Sequence, residues 1–122
     1  MDVNQDEAEK TINNIIEGIQ KIKGKKIVQI DLTTINHTEC NHFIICHGTS
    51  NTHTGAIADS VEENVKKNLG ISVFHKEGNK NAIWILLDYS DIMVHVFQEE
   101  AREFYNLERL WADAKFTIIE DE

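Results

Sequence analysis

Residues 83–97, IWILLDYSDIMVHVF, constrain the fold more than any other stretch, because they read as two short strands joined by a tight turn. With Tyr89 and Ser90 as the turn, Leu87 opposes Ile92, Leu86 opposes Met93, Ile85 opposes Val94, Trp84 opposes His95, and Ile83 opposes Val96. Side chains alternate along a strand, so the hairpin sorts into two unlike faces. One carries Ile83, Ile85, Leu87, Ile92, Val94 and Val96, all aliphatic and mostly β-branched, and is predicted to be core. The other carries Trp84, Leu86, Met93, His95 and Phe97, edged by Asp88 and Asp91. A four-residue loop over Asp88 to Asp91 would leave the same pairs opposed, and Tyr-Ser is not a favoured two-residue turn.

Large amphipathic side chains ringed by charge suit the centre of a binding surface. Equally, helices cover such a face in most α/β sheets. The pattern leaves both readings open, and it also leaves open whether His95 titrates near neutrality.

A helix is predicted directly after the hairpin. Gln98, Glu99 and Glu100 begin it, where carboxylates suit the positive end of the macrodipole. Ala101, Phe104, Tyr105, Glu108 and Trp111 form one stripe beside Leu107, Leu110 and Ala114, with Asn106 as a point of interruption. From about residue 115 the chain reads as an acidic C-terminal tail, or else Phe116 to Ile119 make a short edge strand.

Upstream, Asn4-Gln5-Asp6-Glu7 resembles a capping box, and Ile12, Ile15, Ile16, Ile19 and Ile22 follow at helical spacing until Gly24. Lys26 to Leu32 and His42 to His47 read as strands. Gly48-Thr49-Ser50-Asn51 offers N-caps for a second helix, whose stripe Ile57, Ala58, Val61, Val65 and Leu69 ends at Gly70. Ile71 to Phe74 is a third strand or extended segment, and residues 76–81 a turn. The order predicts a single domain over residues 1–122: a mixed α/β fold, with one mixed sheet of about five strands and helices packed on it.

The net charge of −9 is unevenly spread. Residues 1–87 hold 11 acids and 9 bases, net −2, whereas residues 88–122 hold 10 acids and 3 bases, net −7. Such a surface repels phosphate backbones, so direct nucleic-acid binding is not expected and a basic protein is the favoured partner. The apolar runs are far shorter than a membrane span, and MDVNQDEAEK has neither a secretory nor a transit pattern, so a cytoplasmic location is expected.

Three chemistries have some of their residue types in this chain. His37, Cys40, His42, Cys46 and His47 are of zinc-binding types, but their spacing matches no standard ligand set, so no metal is predicted. Cys46 and His47 diverge in a strand, which argues against a nucleophile and base pair. The alternative enzyme reading is an Mg²⁺-dependent nucleotidyltransferase, with Gly48-Thr49-Ser50 gripping a nucleotide and Asp88 and Asp91 holding the metal. Against it, the two aspartates sit three apart across a turn, and no nearby Lys or Arg steadies a triphosphate. No cofactor is called for.

GTSNTHTGAIADSVEENV followed by WILLDYSDIMVHVFQEEAREFYNLERLWADA resembles the ribosomal silencing factor family, also called Iojap or YbeB-like proteins, over roughly Ile12 to Ala114. Ser90 stands where the family usually has Gly, and Met93 where it often has Val. The resemblance implies a nucleotidyltransferase-like fold without the active site, and so no enzymatic activity. It implies binding to the large ribosomal subunit through its ribosomal protein number fourteen, which blocks joining of the small subunit and represses translation under nutrient limitation. Joined to the residue pattern, it makes Trp84 the anchor, with Leu86, Tyr89, Met93 and His95 around it and Asp88, Asp91, Glu99 and Glu100 facing basic side chains of the partner. Arg102, Tyr105, Leu107, Leu110 and Trp111 match the family motif and are read as packing the last helix. An exposed apolar patch also suits a homodimer of the free protein that buries Trp84.

Overall fold

A computed structural model describes residues 3–35 and 40–120, with side chains from Asp6 onward. Its centre is one mixed sheet of six strands, in the order β3-β4-β5-β2-β1-β6. These are β1 (Lys25–Asp31), β2 (His42–Gly48), β3 (His75–Glu77), β4 (Trp84–Asp88), β5 (Ile92–Gln98) and β6 (Lys115–Ile119). β2 and β5 run parallel and every other neighbouring pair is antiparallel.

Two long helices, α1 (Val3–Lys21) and α2 (Asn51–Leu69), cover one face of the sheet. Ile12, Ile15, Ile19, Ile57, Val61 and Val65 from the helices meet Ile27, Ile44, Cys46, Ile85, Leu87, Val94 and Val96 from the strands, all buried. The helices approach closely at Gly18, where an added Cβ would lie 2.8 Å from the Val61 backbone. Ser60 Oγ donates to the Gly18 carbonyl at 2.7 Å, and Asn64 Nδ2 donates to the Asn14 carbonyl at 2.8 Å. Ser50 caps α2 by accepting the His53 N–H, and Gly70 closes it with φ 69°. At the end of α1 the left-handed residue is Lys23, φ 56°, while Gly24 donates to the Ile19 carbonyl and sits where a Cβ would strike the Ile19 side chain. The expected capping box at Asn4 lies outside the described side chains.

The hairpin of β4 and β5 has the expected two faces but a different register. Leu87 pairs with Val94, Leu86 with His95, Ile85 with Val96 and Trp84 with Phe97. Each partner is displaced by two residues because the turn is Ser90-Asp91 rather than Tyr89-Ser90. The Tyr89 N–H donates to the Ile92 carbonyl at 2.9 Å, and Asp88 Oδ1 accepts the Ser90 N–H at 2.7 Å. An even displacement preserves which side chains share a face, so Ile85, Leu87, Ile92, Val94 and Val96 are core as expected despite the wrong register, whereas Ile83, also expected there, precedes β4 and is exposed.

Beyond the hairpin, one expectation changes and two are met. β3 is His75–Glu77, so it follows the segment Ile71 to Phe74 expected as strand or extended and takes in Lys76 and Glu77, which were expected in a turn. The last helix breaks at Asn106, φ 47°, into α3 (Glu99–Tyr105) and the single turn α4 (Leu107–Leu110). Residues 115–119, anticipated as tail or edge strand, are strand β6, paired antiparallel with β1.

Candidate functional site

The second face of the sheet carries Val28 and Ile30 from β1, Phe43, Ile45 and His47 from β2, Met93, His95 and Phe97 from β5, and Trp84 and Leu86 from β4. Among the described residues, the short segment from α3 to Ala114 packs on it through Ala101, Leu107, Trp111 and Ala114, joined by Leu32 and Ile35 from the chain just after β1. Part of the face is therefore sealed and part remains open. Phe97 and His95 are buried, whereas Trp84, Leu86 and Met93 are half-buried.

Aromatic side chains organise the boundary between these parts. The Trp84 ring lies 4.9 Å from Phe97 and 4.7 Å from Tyr105, while Phe43 meets His95 at 4.6 Å and Trp111 at 5.9 Å. Trp84 Nε1–H donates to His95 Nδ1 at 3.1 Å, which places the proton of the neutral imidazole on Nε2. Burial holds the His95 pKa down to about 4, so the ring is neutral at physiological pH, which answers the question the sequence left open.

The remaining predicted residues divide between the two ends of this face. Asp88 and Asp91 lie at the turn before β5, and Glu99 and Glu100 lie just beyond its far end, about 20 Å away for a seven-residue strand. Tyr89 departs from the expected set, because it packs against the core on the other side of the sheet. Leu110, read as packing, is 71% exposed.

The same geometry separates the parts of the nucleotidyl-transfer alternative. Gly48 pairs with Gln98 at the end of β5, while His42 pairs with Ile92 beside the aspartates. Loop and carboxylates thus occupy opposite ends of the sheet. The loop's polar groups are also engaged internally: the Thr49 N–H donates to His53 Nδ1 at 2.9 Å, so His53 Nε2–H donates to the Ile22 carbonyl at 2.6 Å. An added Cβ at Gly48 would lie 2.8 Å from Thr54 N, so the glycine serves close packing of strand against helix.

No group of three or more metal-ligating side chains occurs among the described residues, and His37 lies outside them. Burial pushes the Cys46 thiol up to about 12 and also raises Cys40, whose Sγ donates to the His42 and Asp91 carbonyls. Both are packing thiols.

Sequence reasoning missed the centre built on Arg102. This side chain, nine-tenths buried, donates from Nε to Glu108 Oε1 at 3.0 Å and from Nη1 to the Lys25 carbonyl at 3.3 Å, with His47 Nδ1 3.0 Å from the same nitrogen. Glu99 Oε2 lies 3.6 Å from His47 Nε2. Arg102 therefore ties the two sides of the Asn106 break to β1 and β2. The i, i+3 and i+9 spacing of Glu99, Arg102 and Glu108 was the available signal, hidden because the intervening break is not helical.

A family model described as "Ribosomal silencing factor during starvation" matches residues 5–122. The chain belongs to this family. It is 39% identical over 98 residues to the ribosomal silencing factor RsfS of Bacillus subtilis, covering 80% of this chain and 81% of that protein. It is 34% identical over 105 residues to RsfS of Halalkalibacterium halodurans, covering 86% and 88%. Among solved structures, a Chromobacterium violaceum protein superposes with a TM-score of 0.80 at 31% identity, covering 85% of each chain.

Proposed function

We infer that this protein silences ribosomes by docking on the large subunit, through that subunit's ribosomal protein number fourteen, so that the small subunit cannot join. Translation falls as a result, in keeping with the starvation named in the family description. One observation carries the reading: a half-buried apolar centre of Trp84, Leu86 and Met93 has carboxylates at both ends, Asp88 and Asp91 at one and Glu99 and Glu100 at the other. Apolar area supplies affinity in such an arrangement, while the surrounding charge steers a basic partner into place.

Occlusion requires tight, correctly oriented contact and no chemistry, which agrees with the relatives' names as silencing factors and with the separation of the Gly48 loop from Asp88 and Asp91. Ribosome binding implies the cytoplasm as the place of action, and no described helix is long and apolar enough to cross a membrane. The test is a joining assay: purified large and small subunits are mixed with and without the protein and resolved on a sucrose gradient. Fewer joined ribosomes, with the protein travelling in the large-subunit peak, is the expected result. Unchanged joining at saturating protein would refute the reading.

A further inference from the structure

We propose that the docking surface continues past the sheet onto the outer side of α3, where Phe104 and Tyr105 contact the same basic partner. The proposal rests on the large-subunit reading above and extends it to a second element of the fold.

Phe104 is 82% exposed and Tyr105 48% exposed, in a segment whose inner side already packs on the sheet. Neither is isolated. The Phe104 ring meets Tyr105 edge-on at 5.1 Å, Tyr105 meets Trp84 at 4.7 Å, and Trp84 meets Phe97 at 4.9 Å. An unbroken ladder of rings thus runs from the buried sheet, through the proposed anchor, to solvent. Scattered exposed apolar residues need no explanation, but a contiguous run that begins inside a docking face does.

Area points the same way. A stable protein interface takes about 800 Å² from each partner. Trp84, Leu86 and Met93 are half-buried by their own chain and offer only a fraction of that. An aromatic side chain as exposed as Phe104 adds on the order of 150 Å², with Tyr105 beside it. Charge selects the occupant: Glu99, Glu100 and Glu103 are exposed on the same helix, so a basic partner gains from covering it whereas a second acidic copy is repelled. Arg109, in the following turn, is the exposed cation of this segment.

The full chain is tested as wild type, Phe104→Ala and Trp84→Ala, each measured for binding to purified large subunits, for self-association by sedimentation, and for thermal midpoint. Because Phe104 is so exposed, its variant should keep the wild-type midpoint while binding weakens about 10-fold. Wild-type binding by Phe104→Ala, alongside loss in Trp84→Ala, would overturn this extension and leave the sheet-face reading intact. Wild-type binding by both would remove the sheet-face reading as well. A Phe104→Ala effect confined to self-association would assign the ring to a second copy and overturn the proposal.

Discussion

Trp84 and His95 are not direct partners across the hairpin, yet the Trp84 indole N–H donates to His95 Nδ1 at 3.1 Å. The strands pair Trp84 with Phe97 and Leu86 with His95, so the indole reaches diagonally along the sheet. This bond fixes the orientation of the proposed anchor and selects the neutral tautomer of the histidine.

A pH dependence of stability follows. Burial depresses the His95 pKa in the folded state to about 4, from 6.5, so between these values the unfolded chain binds more protons. Its contribution, on the order of 3 kcal/mol, is present above pH 6.5 and is lost as pH falls toward 4. Urea unfolding from pH 7.5 to 4.5 should show stability falling with acidity, and His95→Gln should flatten that slope. An identical slope in the variant would place the titration elsewhere.

Ser90 occupies the first turn position with φ 74°, a conformation that costs a non-glycine residue about 1 kcal/mol. Ser90→Gly, which restores the residue usual in the family, should raise unfolding free energy by about 0.5–1 kcal/mol, with the net gain reduced by glycine's unfolded-state entropy. The urea midpoint is the measure.

Gly18→Ala should act in the opposite direction. The new methyl would meet the Val61 backbone at 2.8 Å, and neither helix can withdraw without giving up the Ser60 and Asn64 bonds. A loss of about 1–3 kcal/mol is expected by urea denaturation.

Much of this arrangement was legible before any coordinates. Period-two alternation identified both faces from Trp84 to Phe97, and even spacing protected that assignment when the register moved by two, whereas Ile83, just before β4, is exposed and not core. Gly70 marked the end of α2, while residues 48–51 offered several N-caps, of which Ser50 serves. What was hidden depended on distance in sequence. Nothing near His47 indicates Arg102, 55 residues away, and nothing in the stripe of Phe104 and Leu110 reveals that the break at Asn106 turns both outward. The extent to which α3 and Trp111 seal His95 and Phe97 while sparing Leu86 and Met93 is likewise a tertiary outcome.

Arg102→Met tests the centre that holds the cover in place. It would strand the partly buried Glu108 carboxylate and free the Lys25 carbonyl, so a loss of about 3 kcal/mol is expected. Adding Glu108→Gln should recover part of that loss if the pair is coupled, as read from a double-mutant cycle.

The central claim is that the open part of the sheet face docks the large ribosomal subunit, and Trp84→Ala tests it most directly. Co-sedimentation with purified large subunits, over a titration that yields Kd, should show a loss of about 2–4 kcal/mol, roughly 30- to 1000-fold in affinity, in a variant whose cooperative unfolding confirms that it is folded. A folded Trp84→Ala protein that binds with wild-type affinity would contradict the account.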